Sequence, residues 1–306
     1  MKGFLKFVGI FAGILLLSAV LAPLFYDFFQ TFHPYKFERI FTRIVMILSL
    51  VAVACFVRVK KKMLTSYGLA WKPQSLELLG KGFKAGVLVL GVVGILRFLL
   101  GQAVFAPDSL SWEGWIAKVF LALGTALLIG FMEEFFFRGF VFRSLMHLLR
   151  DRVFLSVMIT TSFYAIIHFI GMKKTFVDSS PDFIDGLRLV GAPFLFLAQW
   201  PKFWPEAVGL FLFGLVLNGA AYRSGSLYPG IGLHAGCVFC VRLDDSFLQY
   251  HTGWTLFWGS KVLYDGFVGW LFLGAMALAL WMAPKSAASN FPGPSRNPRF
   301  RHDHVQ

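Results

Sequence analysis

The sequence predicts an all-α, polytopic membrane protein with about eight transmembrane helices. Of its 306 residues, 57% are hydrophobic and only 15% are charged, whereas soluble domains contain about 25% charged residues. Several uninterrupted apolar runs approach the ~20 residues that a helix needs to cross a bilayer. Once these runs are removed, too little chain remains for a soluble domain.

Eight segments are predicted to span the membrane. The first could be mistaken for a secretory signal because Lys2 and Lys6 precede an apolar run. No clear small-x-small cleavage site follows that run, and bulky Leu24 and Phe25 follow Pro23, so we expect a retained span. The sixth and seventh are the least hydrophobic because they are rich in glycine, which is typical of close helix packing. The predicted spans are 4–24, 39–57, 82–101, 114–136, 153–171, 205–222, 229–243 and 263–283.

The spans divide the chain into four regions, with the candidate catalytic core on spans four to seven. We expect N-terminal transmembrane helices over 1–112, the core over 113–245 and a last transmembrane helix over 246–284. Residues 285–306 are rich in Pro, Ser, Asn and Arg and contain few large apolar side chains, which predicts a disordered basic tail.

The net charge of +13 would suggest a nucleic-acid partner in a soluble protein. Here the Lys and Arg residues lie mainly in loops beside the spans, where they set topology and attract anionic headgroups. We therefore expect lipid and not nucleic acid as a partner, in the cytoplasmic membrane, with both termini inside and the acidic stretch 178–185 outside. The lone CxxC of Cys237 and Cys240 favours small core residues over a redox or metal site.

Ionisable residues interrupt three apolar segments. Each costs at least ~2.5–3.5 kcal/mol at membrane depth, so its presence indicates function by default. In the segment MEEFFFRGFVFR, Glu134 and Arg138 are spaced i, i+4 for an ion pair, while Glu133 lies about 100° further round the helix. The alternative is a cytoplasmic helix end where the acids are solvated. His168 and His234 are the other two residues.

Hairpin geometry predicts which of these residues lie at equal depth. If spans four and five are antiparallel around a turn near 149–152, Glu133 is level with His168. If spans six and seven turn around 223–229, Asn218 is level with His234. A buried amide beside an imidazole is a plausible donor pair for an oxyanion, and equally an ordinary interhelical contact.

In this order the residues resemble the CAAX prenyl protease and bacteriocin-processing (CPBP) intramembrane glutamic proteases. That family has the motifs EExxxR, FxxxH and HxxxN or HxxxD. The first is matched by Glu133, Glu134 and Arg138, and the second by His168 with Tyr164 in place of Phe. The third begins at His234, but Val238 stands where the family has Asn or Asp.

The resemblance implies an endopeptidase that hydrolyses a peptide bond near the C-terminus, or in a membrane-proximal segment, of a protein or peptide substrate. Glu133 would act as the base on water, since a carboxylate removed from water binds protons more strongly. His168 would orient the water or share its proton. His234, with Asn218 as a candidate partner, would stabilise the oxyanion, and Glu134 with Arg138 would support the site.

Other functions remain open at this point. No cofactor is expected, and neither GxSxG nor HExxH is present. Zinc bound by Glu133, His168 and His234 is a minority alternative because these ligand types suit an open zinc site. Val238 favours a non-catalytic membrane scaffold or bacteriocin-immunity-type protein. A proton-coupled transporter is weaker because no inverted repeat is evident.

Overall fold

The computed structural model describes residues 2–31, 35–59, 65, 67–169, 180–198, 200–251 and 255–284. The predicted tail 285–306 and the beginning of the acidic stretch 178–185 lie outside these residues. The chain divides into two compact units. The first contains residues 1–61 and 163–204, and the second contains residues 62–162 and 205–306.

The first unit centres on α1 (Lys2–Gln30), α2 (Phe37–Val59) and α7 (Phe183–Ala198). Helix α1 packs against both α2 and α7. Ala19 of α1 is fully buried, and a Cβ added to Gly186 of α7 would lie only 2.7 Å from its Cα. Small residues on both helices therefore let the two backbones approach closely.

The second unit centres on α3 (Ser75–Leu99), α4 (Trp112–Glu134) and α9 (Tyr228–Phe247), with α9 in contact with both α3 and α4. Helix α4 begins after Ser111, whose hydroxyl accepts a hydrogen bond from the Gly114 amide at 3.2 Å. This is the ordinary way to satisfy a backbone donor at a helix start.

Glycines set the contact between α3 and α9. A Cβ on Gly82 of α3 would lie 2.9 Å from the amide nitrogen of Leu233, and one on Gly236 of α9 would lie 3.0 Å from the carbonyl carbon of Phe83. Further along, a Cβ on Gly94 would lie 2.7 Å from Asp244, so the two helices run parallel. The close packing predicted for the glycine-rich seventh span is thereby confirmed.

The second unit also contains a π-helical segment, further helices and a two-stranded ribbon. A π-helical segment continues α4 without a break into α5, and a short antiparallel ribbon pairs Ala103 with Tyr250. The remaining elements, some of which extend into the first unit, are the π segment (Phe135–Phe142), α5 (Arg143–Leu148), α6 (Val153–Ile167), α8 (Trp200–Ser224), α10 (Thr255–Trp258), α11 (Phe267–Met282), β1 (Ala103–Phe105) and β2 (Leu248–Tyr250).

The helices confirm a multi-pass membrane protein of almost entirely helical structure. Four helical stretches within the described residues are long and apolar enough to cross a membrane: Val8–Gln30, Ser75–Leu99, Trp112–Leu148 and Phe203–Ser224. Two shorter apolar helices are α6 and α11. The total of eight spans and the assignment of the catalytic spans stay predictions.

Two helices differ from the predicted elements. The fourth span was expected to end at 136, yet the helix runs on to Leu148. Arg138 and Arg143 lie within this continuation, and both are buried with hydrogen-bond acceptors. Helix α7 (Phe183–Ala198) was not among the predicted spans.

Candidate active site

A buried ion pair lies where α4 passes into the π segment. Arg138 Nη1 is 2.8 Å from Glu134 Oε1, and neither side chain is exposed. Arg138 Nη2 also donates to the carbonyl oxygen of Gly214 on α8, at 3.4 Å. The predicted i, i+4 pair is confirmed, and the alternative of a solvated helix end is wrong for these two residues. Because an unpaired buried charge is costly, each residue depends on the other.

His234 of α9 joins both glutamates. Its Nδ1 is 3.1 Å from Glu134 Oε1 and its Nε2 is 3.7 Å from Glu133 Oε2. The imidazole is almost fully buried, whereas the Glu133 side chain is 29% exposed. The two carboxylates leave α4 in different directions, yet they converge because the ring lies between them. The sequence predicted His234 as part of the site but not this double contact.

Close helix contacts fix the orientation of the His234 ring. A Cβ on Gly130 of α4 would lie 2.9 Å from the carbonyl oxygen of Ile231, and a Cβ on Gly230 of α9 would lie 2.9 Å from Glu134 Oε2. On another side, Phe213 of α8 meets the imidazole edge to face, with ring centroids 5.2 Å apart. Three helices thus hold one imidazole against two carboxylates, and α9 runs antiparallel to α4.

Asn218 is also buried on α8, and it has a partner that the sequence did not predict. Its Nδ2 donates to Thr161 Oγ1 of α6 at 2.8 Å. Its Oδ1 has no hydrogen-bond partner among the described residues. One of its two N–H groups therefore remains for other acceptors, and its role beside His234 stays a prediction.

His168 follows the end of α6 and belongs to the first unit. Its Nδ1 is 2.8 Å from the carbonyl oxygen of Tyr164, whose ring packs against the imidazole with centroids 4.3 Å apart. Since a carbonyl only accepts, Nδ1 carries the proton and Nε2 of the neutral ring is an acceptor. Glu133 belongs to the second unit, so the prediction that the two residues lie level stays a prediction.

The remaining motif positions are apolar or thiol side chains of α9. Val238 is half-buried one turn beyond His234. Cys237 is buried, and its Sγ lies 3.6 Å from the carbonyl oxygen of Gly86, which confirms its interpretation as a core residue. Within the described ranges, no group of three or more His, Cys, Asp or Glu residues could hold a metal ion. The expectation of no cofactor stays a prediction.

Two residues that pack around the site were missed from the sequence. Phe213 contacts the His234 ring, and Thr161 accepts the hydrogen bond of Asn218. Both are ordinary residues of apolar helical segments, so no sequence signal marks either of them.

Comparison with known proteins gives a match to one family model. Residues 115–240 match the family model described as type II CAAX prenyl endopeptidase Rce1-like. The matched stretch extends from before Glu133 to beyond His234, so the resemblance predicted from the ordered motifs is confirmed there. Searches of the curated proteins and of the solved structures give no match.

Proposed function

We propose that the chain is an intramembrane endopeptidase that cleaves a protein or peptide near its C-terminus or in a membrane-proximal segment. The observation that carries this proposal is the buried contact of His234 with the carboxylates of both Glu133 and Glu134. Two acids on one imidazole are costly to hold inside apolar helices unless chemistry requires them. The family match over the same residues supports peptide hydrolysis and a protein substrate.

Glu133 is the residue of the pair that is suited to act as the base. Its side chain is 29% exposed and can be reached by water, whereas Glu134 is fully buried and engaged by Arg138 and His234. The Glu133 carboxylate takes a proton from water while the oxygen attacks the scissile carbonyl carbon. The same carboxyl then gives that proton to the leaving amine as the tetrahedral intermediate collapses.

His234 is suited to stabilise the negative charge of that intermediate. Donation from Nδ1–H to Glu134 Oε1 fixes the orientation of the ring. Nε2 then points toward the Glu133 side of the site, 3.7 Å from Oε2. A protonated Nε2 is a donor already aimed at the place where an oxyanion would form beside the attacking water.

His168 and Asn218 take secondary roles in this proposal. With Nδ1 donating to Tyr164, His168 has an acceptor nitrogen that orients the water or shares its proton. Asn218 holds one N–H for the oxyanion after the other has bound Thr161. Since Val238 provides no donor one turn after His234, oxyanion stabilisation depends on His234 and Asn218, and we expect slower turnover than with an additional donor at that position.

The test compares wild type with Glu133→Gln, which keeps shape and removes the base. The terminal peptides of membrane and secreted proteins are identified in cells that express each version, and the two sets of termini are compared. We expect termini present with wild type to disappear with the variant, and the corresponding synthetic peptide to be cleaved at least about 100-fold more slowly by the purified variant. Glu77→Gln is the matched control, because Glu77 is exposed and pairs with the exposed Lys81. Full cleavage by Glu133→Gln at normal abundance contradicts the proposal.

The same preparation separates the alternatives. If wild type and Glu133→Gln yield identical termini, the chain is a scaffold or immunity-type protein and not a protease. If a chelator abolishes cleavage and zinc restores it, a metal-dependent mechanism replaces the glutamate-activated water. We expect cleavage to be unaffected by the chelator.

The proposed orientation of the chain in the membrane rests on the distribution of Lys and Arg. Both termini lie in the cytoplasm in this proposal. A reporter fused to the C-terminus that is active only in the cytoplasm should be active, and a reporter active only outside should be silent. The reverse result would invert the topology.

A further inference from the structure

The ribbon of β1 and β2 lies at one end of the second unit, where α3 and α9 end and α4 begins. Helix α3 is apolar enough to cross a membrane. Its 25 residues give a length of about 37 Å, slightly more than the ~30 Å hydrocarbon core of a bilayer. The last turn of α3 and the ribbon that follows it are therefore expected close to a membrane surface.

The first strand of the ribbon and the segment leading to α4 expose large apolar side chains. The exposed fraction is 45% for Val104, 63% for Phe105, 42% for Leu110 and 81% for Trp112. Connections that face water are ordinarily polar, and soluble proteins seldom expose large apolar patches. At a membrane surface, these side chains indicate contact with lipid.

Charged residues in the same region exclude the middle of the bilayer as their surroundings. Asp108 is exposed and forms an ion pair with Lys118, whose Nζ lies 5.6 Å from the centroid of the Trp115 ring. Charges are costly in the hydrocarbon core, whereas the headgroup region accommodates both charged groups and Trp rings. The mixture of side chains therefore fits the boundary between headgroups and acyl chains.

Backbone pairing lowers the cost of placing this segment at that boundary. Beyond the end of β1, the Ala106 amide donates to the carbonyl oxygen of Phe247 at 2.9 Å, and the Asp108 amide donates to that of Ser246 at 3.0 Å. Backbone groups that are hydrogen-bonded within the protein can leave water at much lower cost than unpaired ones.

Contacts with three helices fix the position of the ribbon. The Arg97 guanidinium of α3 stacks on the Tyr250 ring of β2 at 3.8 Å. The ring of Phe247, at the end of α9, stacks on Phe105 with centroids 6.4 Å apart and on Trp115 of α4 with centroids 4.7 Å apart. The exposed apolar side chains therefore belong to a surface that is held in place.

We propose that the ribbon and residues 106–112 form a lipid anchor in the headgroup region of one leaflet. Val104, Phe105, Leu110 and Trp112 enter the upper part of the acyl chains, and the partner is the phospholipid of that leaflet. The anchor fixes the vertical position of α4, and with it the depth of Glu133, which lies about 30 Å further along this helix. The inference concerns lipid contact and is independent of the protease function.

The experiment measures which quencher reaches a fluorophore at each position. Phe105→Cys and Trp112→Cys are made separately in full-length protein that carries Cys55→Ser, which removes an exposed thiol. Each protein is labelled with bimane and reconstituted into vesicles of phosphatidylcholine and phosphatidylglycerol, and the labelled parent provides the background. Lys261→Cys is the matched control, because Lys261 is exposed and follows Ser260, whose carbonyl oxygen binds Arg97 at the same end of α3.

We expect brominated phosphatidylcholine to quench the labels at 105 and 112. The loss should exceed about half of the emission and should be larger with bromines near the headgroup than with bromines near the chain end, because interfacial segments enter the lipid by only about 5–10 Å. Iodide on both sides of the membrane should quench the label at 261 and leave the other two bright.

Two results would overturn the inference. If iodide quenches the labels at 105 and 112 as strongly as the label at 261, the segment is a water-facing loop. If neither quencher reaches them, another protein surface, such as a second copy of the chain, covers the segment. A second measurement needs no cysteine: the difference in Trp emission between wild type and Trp112→Phe must be quenched by brominated lipid, and a difference that is not quenched contradicts the anchor as well.

Discussion

Two clusters of buried charge lie along α9 and differ in composition. Near the start of the helix, His234 meets Glu133 and Glu134, and Arg138 forms an ion pair with Glu134. Near its end, Arg97 stacks on Tyr250, whose hydroxyl donates to Asp244. The second cluster also includes the donation from Arg97 to the carbonyl oxygen of Ser260, and it ties α3 to the ribbon and the 259–266 loop.

The difference indicates which cluster is structural and which is chemical. A mutually hydrogen-bonded set stabilises a fold, because each group compensates the desolvation of its neighbour. In the first cluster Glu134 is fully buried against Arg138 and His234, whereas the Glu133 side chain is 29% exposed. A carboxylate beside a buried imidazole and within reach of water is what a general base requires. The first is the active-site cluster, and the second is the Arg97 cluster.

The largest expected contrast comes from converting one acid to its amide in each cluster. Glu133→Gln should reduce cleavage by about 10²–10⁴-fold because it removes the base. Asp244→Asn should leave kcat/KM within about threefold, since its amide oxygen can still accept from Tyr250. The measurement is steady-state cleavage of one peptide by both purified variants. Equal losses would break the distinction between the clusters.

Removing the arginine tests how the two clusters depend on their cations. Arg138→Met leaves Glu134 buried without its partner and should lower the free energy of unfolding by about 3–5 kcal/mol. The double variant Arg138→Met, Glu134→Gln should recover part of this loss. Arg97→Met should be destabilising but should keep kcat per folded molecule. Denaturation in mixed micelles, followed by cleavage assays on the folded fraction, measures both quantities.

A single added methyl group tests the close approach of α4 and α9. Gly230→Ala places a Cβ 2.9 Å from Glu134 Oε2, so the carboxylate must shift away from His234. We expect a loss of about 1–3 kcal/mol in stability and slower cleavage. The control is Gly91→Ala, where the nearest atom is Cys240 Sγ at 3.8 Å and little change is expected. Similar effects of both substitutions would show that the contact at Gly230 is not special.

The smallest effect is an alkaline one in the Arg97 cluster. Burial, with the hydrogen bond to Asp244, raises the pKa of Tyr250 above its usual value near 10. The unfolded chain therefore releases this proton before the folded protein does. The stability contributed by Tyr250 is fully present below about pH 10 and is lost as pH rises above it. Tm measured from pH 8 to 11 should fall less steeply for Tyr250→Phe, and identical slopes would contradict this interpretation.

The parts of the site that depend on neighbours in sequence were predictable. The pairing of Glu134 with Arg138 needs only an i, i+4 spacing, and it is present at 2.8 Å. The close contact of α9 with its neighbours followed from its glycines. The burial of Arg138 and Arg143 was not predictable in this way, because their acceptors Gly214 and Gly225 are far away in the sequence.

The sequence by itself determined the membrane class, the glutamate pair with its arginine, and the resemblance to the family whose model matches residues 115–240. Composition and local spacing carry that information. Only the tertiary structure decided that His234 contacts both acids and that Asn218 binds Thr161. Those contacts join residues far apart in the chain, and their geometry is set by how closely glycine lets helices approach, which no local pattern encodes.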